Sequence, residues 1–416
     1  MIAYLPTAVA AEENNGAINL PLRKLLTPDF DKLAFEAYKT KYMYLACHVT
    51  SEDPDERAHW PEPCFKIGYE IYYGDTYEDR NWRSVAANPV VPLRNLALHP
   101  ATCALHYGPA VFEGTKAFLS AKNRVVLFRP QANAQRFEKS AGRTLMPKVP
   151  QDMFLDAVTK TVLANREFIP PFRAADWAWE TRNAACLYVR PLLFGHGPML
   201  GVRPSKDHLF LVYCSPVRTF YPASGMRVLV TRSFHRAAPG GLGNAKASAN
   251  YVAGLLPTQL ARRGYDWING KPVRVSEEPF NDVLYLDAVH NKYVEEFSGA
   301  TFLAITTDGT LISPQSESIL AGITRDSVVQ LAQAMGVKVE QRPLSVEEVM
   351  NPKQIASAFC TGNAAVVTPV VTIHHNGETR TFDLEKMKTV RQLWDLLVGI
   401  QLQMREDTFG WVEEIG

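Results

Sequence analysis

The sequence predicts two α+β domains, and three observations carry that expectation. At 416 residues the chain has room for two domains of ordinary size. Its β-rich runs come in groups with helical patterns appended, not in the strict alternation of a parallel βαβ sheet. Between two such groups lies "SPVRTFYPASG" (Ser215–Gly225), whose two prolines and one glycine make it the best candidate for an interdomain connection.

Taken in order, residues 1–60 read as an irregular N-terminal extension, with "TSEDPDERAHWPEP" as surface loop. Residues 61–214 form the first domain. "RVVLFRP" (Arg124–Pro130) reads as a strand and "NAQRFEKSAGRTL" (Asn133–Leu145) as an amphipathic helix, followed by the strand-like "ACLYVRPLLFG" and "DHLFLVYCSPV". After the 215–225 linker, residues 226–416 form the second. This begins with the strand "MRVLVTRSF", a glycine loop and a helix from about Asn250 to Arg263. "VLYLDAVHNKYVEEF" reads as two strands around an Asn-centred turn. Ser345 and Glu348 stand at capping-box spacing. Val390, Leu393, Leu397, Ile400 and Met404 mark the buried stripe of a last helix.

Composition narrows the class of function. Hydrophobic content of 46% and charged content of 21% describe a folded soluble protein, and a net charge of +1 gives no reason to expect nucleic acid or an anionic membrane as partner. No apolar run approaches the roughly 18–20 residues that span a bilayer. The N-terminus lacks the basic region of a signal peptide, so a cytoplasmic location is expected. The six cysteines (Cys47, Cys64, Cys103, Cys186, Cys214, Cys360) are scattered without a C-x-x-C pair, and the ten histidines show no H-x-x-x-H spacing. No metal site is expected.

The chemistry concentrates in "GGLGNAKASANY" (Gly240–Tyr251). A Walker A loop needs Gly before the Lys and Ser or Thr after it, but Ala245 and Ala247 stand there. The G-x-G-x-x-G fingerprint fails too, because Lys246 occupies the place of its third glycine. What remains is a lysine with small neighbours, room enough for a flat ring against its amine, and Tyr251 close by as a hydrogen-bonding phenol. By itself this also describes an exposed lysine in a turn.

Further segments accompany it: "LHYGPAVFEGTKAF", Arg136 read as lying near a helix start, "YVEEFSGATF" with Glu295 and Glu296, "SESILAGITRDS" read as opening a helix at about Ser318, and "FCTGNAAVVTPV". Each alone fits packing, capping or turn formation. As an ordered set over roughly residues 90–410 they resemble the branched-chain aminotransferases, pyridoxal-phosphate enzymes of fold type IV. The family pattern H-Y-x-x-x-x-F-E-G-x-K-A is followed by an arginine with S-A-x-R, Y-x-R-P, G-G-x-G-N-x-K-x-x-x-N-Y, a Glu before a small-residue turn and a late G-T-A.

The resemblance implies a smaller N-terminal and a larger C-terminal α/β domain, the latter with a pseudo-barrel, in a homodimer with its site at the domain and subunit boundary. It implies transamination between leucine, isoleucine or valine and 2-oxoglutarate, with pyridoxal 5'-phosphate bound covalently to Lys246. Glu296, rather than Glu295, would face the pyridine nitrogen. Arg136 would bind the phosphate, with Arg236 assisting and the amides of Ser318 and Ile319 and the Thr361 hydroxyl completing the cup. Tyr251 would meet the ring oxygen. Tyr107, Tyr188 and Arg190 would line the substrate site. Phe112, Leu200, Val202 and Phe220 would form the side-chain pocket, partly across the subunit boundary. The amides of Asn363 and Ala364 would meet the α-carboxylate.

The sequence departs from the pattern in places. Gly362–Asn363–Ala364 replaces Gly-Thr-Ala, Gly299 stands in the turn after Glu296, and Ala365 and Thr368 replace a redox C-x-x-C. "DWINGKPVRVSEEPFND" reads as an insertion. The first two departures keep open an aminotransferase retuned to another apolar or aromatic amino acid. D-amino-acid aminotransferase and aminodeoxychorismate lyase fit the lysine and "HYGPAVFEG" segments less well. A catalytically dead relative would have lost Lys246 or Glu296, and both are present.

Overall fold

A computed structural model of the protein describes residues 27–48, 72–73, 82–84, 88–96, 98–182 and 185–416. The "TSEDPDERAHWPEP" segment and Cys64 lie outside the described residues.

The described strands form two large sheets and a small hairpin. The first sheet is antiparallel, with Cys186–Gly195 and His208–Val217 paired along their whole length at its centre. These runs of Leu, Val and Phe are buried on both faces, which is why they read as continuous apolar segments rather than alternating ones. The helices Pro130–Arg143 and Gln151–Ala164 cover one face, packing Phe137 and Phe154 against Phe210. The first helix starts three residues earlier than its apolar pattern suggests, because Pro130 suits a first helical turn.

Tyr42–His48 overturns the reading of residues 1–60 as wholly irregular. It is a strand of the first sheet, paired with His208–Val217, and all but its first residue are buried. The last strand, Val412–Glu414, returns to this sheet and pairs with Val125–Phe128.

The second sheet closes on itself. Val294–Phe297, Asp282–Leu286, Met226–Thr231, Val366–His375, Ile355–Gly362 and Thr301–Thr306 follow one another, and Glu296 pairs with Thr301 to complete the ring. This strand barrel is the pseudo-barrel expected from the family pattern. The helices Ile323–Ala334 and Lys388–Gln401 pack outside it. Met404 is not part of the last helix's stripe: that helix ends at Gln401, and Met404 is exposed. The helix expected over 250–263 is two short ones, Ala249–Val252 and Leu255–Ala261, parted at Ala253–Gly254. "DWINGKPVRVSEEPFND" contributes to the hairpin Tyr265–Ile268/Lys271–Arg274, with Asn269 and Gly270 both at positive φ as a two-residue turn requires.

One buried apolar cluster joins the sheets, running from Phe118, Phe128 and Tyr188 to Met226, Phe297 and Phe359. Polar ties cross the same boundary. Arg129 donates to Ser327 Oγ at 2.8 Å and pairs with Asp326 at 2.7 Å. The capping-box reading holds: Ser345 Oγ accepts from Glu348 N, and the Glu348 carboxylate accepts from Ser345 N.

Candidate active site

The glycine loop sits between the two sheets, tied down by backbone groups. Phe112 N donates to Lys246 O at 3.1 Å and Ser248 N to Ala110 O at 2.9 Å. Lys246 N donates to Ser140 Oγ at 2.9 Å. Gly243 is required for closeness rather than for a phosphate: a Cβ there would lie 2.2 Å from Ser318 O. The loop thereby holds Lys246 half-buried, its Nζ donating to Tyr251 Oη at 3.0 Å and lying 4.7 Å from the Phe112 ring centre.

Lys246 and Tyr251 line a pocket together with Arg136, Tyr188, Arg236, Glu296, Gly299, Thr361 and Asn363. Glu296 is held at the seam where the barrel closes. Its Oε1 pairs with Arg236 Nη1 at 2.8 Å and accepts from Leu320 N at 3.0 Å. Burial pushes the Glu296 carboxyl up to about 7, against the lowering pull of Arg236. Adjacent Glu295 turns away to accept from Ser316 Oγ at 2.6 Å, as alternation along a strand dictates.

Two expectations about the anion end need correction. Arg136 lies in the middle of the Pro130–Arg143 helix, not near its start, so no helix dipole assists it. The helix after "SESILAG" begins at Ile323 behind Gly322, not at Ser318. Serine is a good helix cap in isolation, but here Ser318 lies in a turn, and tertiary bonds engage the residues that follow it: Leu320 N donates to Glu296 and Ala321 O accepts from Arg136 at 2.9 Å. The amides of Ser318 and Ile319 are already spent on Ser316, donating to its Oγ at 3.1 Å and its O at 3.3 Å. The helix N-terminal residues that line the pocket are Ile323 and Thr324, whose amides have no partner within their helix.

Sequence reasoning also missed Glu113, Asn133 and Phe35. Glu113 is fully buried and grips Arg136 through both oxygens, at 2.7 and 2.8 Å. Phe35, from the presumed extension, packs edge-on against Tyr188 at 5.1 Å and Phe220 at 5.3 Å. The only available signal was a lone carboxylate inside the apolar run "AVFEG", and an apolar "KLAF" in a polar arm.

The remaining site candidates fall into two groups. Arg190 lies beside the pocket, its guanidinium 4.5 Å from the Phe112 ring centre, with Nη2 donating to Tyr188 Oη at 3.3 Å and a buried Nε lacking a partner. Asn363 Nδ2 donates to Gly114 O, and Ala364 follows it in the turn, half-buried. Tyr107, Leu200, Val202 and Phe220 do not line the pocket of this chain. Leu200 and Val202 are 86% and 83% exposed, and Tyr107 Oη donates to Leu200 O.

A model of the amino-transferase class IV family matches residues 273–373. A branched-chain-amino-acid aminotransferase from Helicobacter pylori is 35% identical over 82% of this chain and 93% of its own. The chain belongs to the branched-chain aminotransferase family. Its fold is that of the Escherichia coli branched-chain aminotransferase structure (TM-score 0.63, 26% identity, covering 79% of this chain and 97% of that one). A branched-chain aminotransferase from T.th., solved as a complex with N-(5'-phosphopyridoxyl)-L-glutamate, matches with TM-score 0.59 and 25% identity over 79% of this chain and 96% of that one. Among the described residues no cluster of His, Cys, Asp and Glu is placed to hold a metal, and no helix is long and apolar enough to cross a membrane.

The pocket fits a phosphorylated pyridine. Among the residues that line it, Thr361 Oγ1 and Arg236 Nε are enclosed without hydrogen-bond partners, and such orphans are costly unless a ligand satisfies them.

Proposed function

We propose that this aminotransferase moves the amino group of leucine, isoleucine or valine to 2-oxoglutarate, giving the branched 2-oxo acid and L-glutamate, with pyridoxal 5'-phosphate as cofactor. The observation that carries this is the 3.0 Å pairing of Lys246 Nζ with Tyr251 Oη in a pocket that also contains a buried glutamate and two arginines. When bound, the cofactor supplies the aldehyde that receives the amino group and a ring that draws electron density from the substrate's Cα.

The protein's own groups supply the rest. Lys246 Nζ would hold the cofactor covalently, and as a free amine it would move the proton from the substrate's Cα. Tyr251 Oη orients that amine. Glu296, through the oxygen not committed to Arg236 and Leu320, faces the ring nitrogen, and Arg236 favours its charged form. Arg136, the amides of Ile323 and Thr324 and the Thr361 hydroxyl hold the phosphate. Asn363 and Ala364 offer amides to the α-carboxylate, while Tyr188 and Phe112 give apolar walls. Arg190, with its unpartnered Nε, suits the second carboxylate of 2-oxoglutarate. Tyr107, Leu200 and Val202, exposed here, would be covered by a second copy in a homodimer and complete its pocket.

A kinetic screen across amino-acid donors tests this. Parallel double-reciprocal lines with Leu, Ile and Val are expected, and no turnover of these three would overturn it. The Asn363 side chain at the pocket wall favours one second reading, a preference for another apolar or aromatic amino acid; faster turnover of Phe or Met than of Leu would establish it. Light scattering of the purified protein would show a dimer, and charge introduced by Val202→Asp would weaken it.

A further inference from the structure

Arg136 does not meet the pocket with its full set of donors. Its Nε and Nη2 are committed to Glu113 Oε1 and Oε2 at 2.7 and 2.8 Å, and its Nη1 to Ala321 O at 2.9 Å. A guanidinium has five N–H groups, so one proton on each terminal nitrogen is left to face the pocket. Glu113 is itself pinned: Asn133 Nδ2 donates to its Oε2 at 2.7 Å and Gly114 N at 3.1 Å. The carboxylate lies fully buried in the first half of the chain, while Ala321 belongs to the second, so Arg136 is clamped from both sheets.

We propose that Glu113 is a positioning residue: by taking one edge of Arg136 it aims the opposite edge at the cofactor's phosphate. The inference rests on the cofactor reading of the pocket and names a residue that never touches the cofactor. Removing the charge would place the amide NH2 of a glutamine against arginine donors, break the paired hydrogen bonds and let the guanidinium swing.

The test compares two ligands that differ only in the phosphate. Cofactor-free wild type, Glu113→Gln and the conservative Glu113→Asp are titrated with pyridoxal phosphate and with pyridoxal, following tryptophan fluorescence. Glu113→Gln is expected to weaken pyridoxal phosphate by about tenfold or more while leaving pyridoxal within about twofold, and Glu113→Asp to fall between it and wild type. Equal weakening of both ligands would reveal a merely structural role and overturn the proposal, as would no change in either. If wild type itself takes up neither ligand, the cofactor reading fails first, and the proposal with it.

Discussion

Glu113 and Glu296 are both buried beside an arginine at the same pocket, yet their acidities move in opposite directions. Burial raises each. For Glu113 the charge of Arg136 and its two hydrogen bonds, helped by Lys246 and Asn133, more than offset that and hold the carboxyl below its usual range. For Glu296 one contact from Arg236 and one amide do not suffice, and the carboxyl rises to about 7. The number of donors aimed at a buried carboxylate, rather than the presence of a cation, decides which form it keeps. A saturated glutamate such as Glu113 is a fixed strut. An undersupplied one such as Glu296 retains an oxygen that a ligand can still use.

Changes at the pocket can break or sharpen this contrast. The largest effect is expected between the two carboxylates: Lys246→Ala should lower turnover by on the order of 10⁴-fold or more, read in single-turnover assays. Glu296→Gln comes next, with a kcat loss of roughly 10²–10³, whereas Glu113→Gln should act chiefly on cofactor affinity. Equal kcat losses in the two variants would erase the distinction between strut and partner.

The pH dependence of the cofactor-free protein should separate them as well. Glu296 is raised on folding, so its contribution is full below the unfolded value of about 4.3 and is lost as pH rises to about 7. Over that window wild type should lose on the order of 3 kcal/mol relative to Glu296→Gln in urea unfolding. Glu113 has the opposite sign: its contribution is present above the ordinary carboxyl range and disappears as pH falls through its lowered folded value. A wild-type profile parallel to that of Glu296→Gln between about pH 4.5 and 7 would refute the raised acidity. The smallest effect concerns the loop that both glutamates flank. Gly243→Ala forces a methyl against Ser318 O, and a loss of about 1–3 kcal/mol is expected in thermal unfolding.

Much of the site was legible because its chemistry is local. Lys246 and Tyr251 lie on one loop, and the order of "FEG", "GGLGNAKASANY", "EEFSGAT" and "CTGNAA" carries the family pattern. Glu113 was not legible as the holder of Arg136, since a carboxylate inside an apolar run shows its partner only after folding. The helix start was misplaced by five residues for the same reason: Ser318 has the local chemistry of a cap, but Glu296 and Arg136, far away in sequence, claim the Leu320 amide and the Ala321 carbonyl. Tyr42–His48 was missed because its neighbours are polar and its pairing partner, His208–Val217, is remote in the sequence.

The amino-acid sequence alone therefore determined which side chains are available to the reaction and roughly where the chain divides, because residue type, spacing and turn chemistry act over a few residues. Only the tertiary structure decided which donors each buried carboxylate receives, which helix end opens on the pocket and how the barrel closes at Glu296. Those outcomes depend on hydrogen bonds between segments brought together by the packing of two sheets, where burial makes each bond costly to leave unmade.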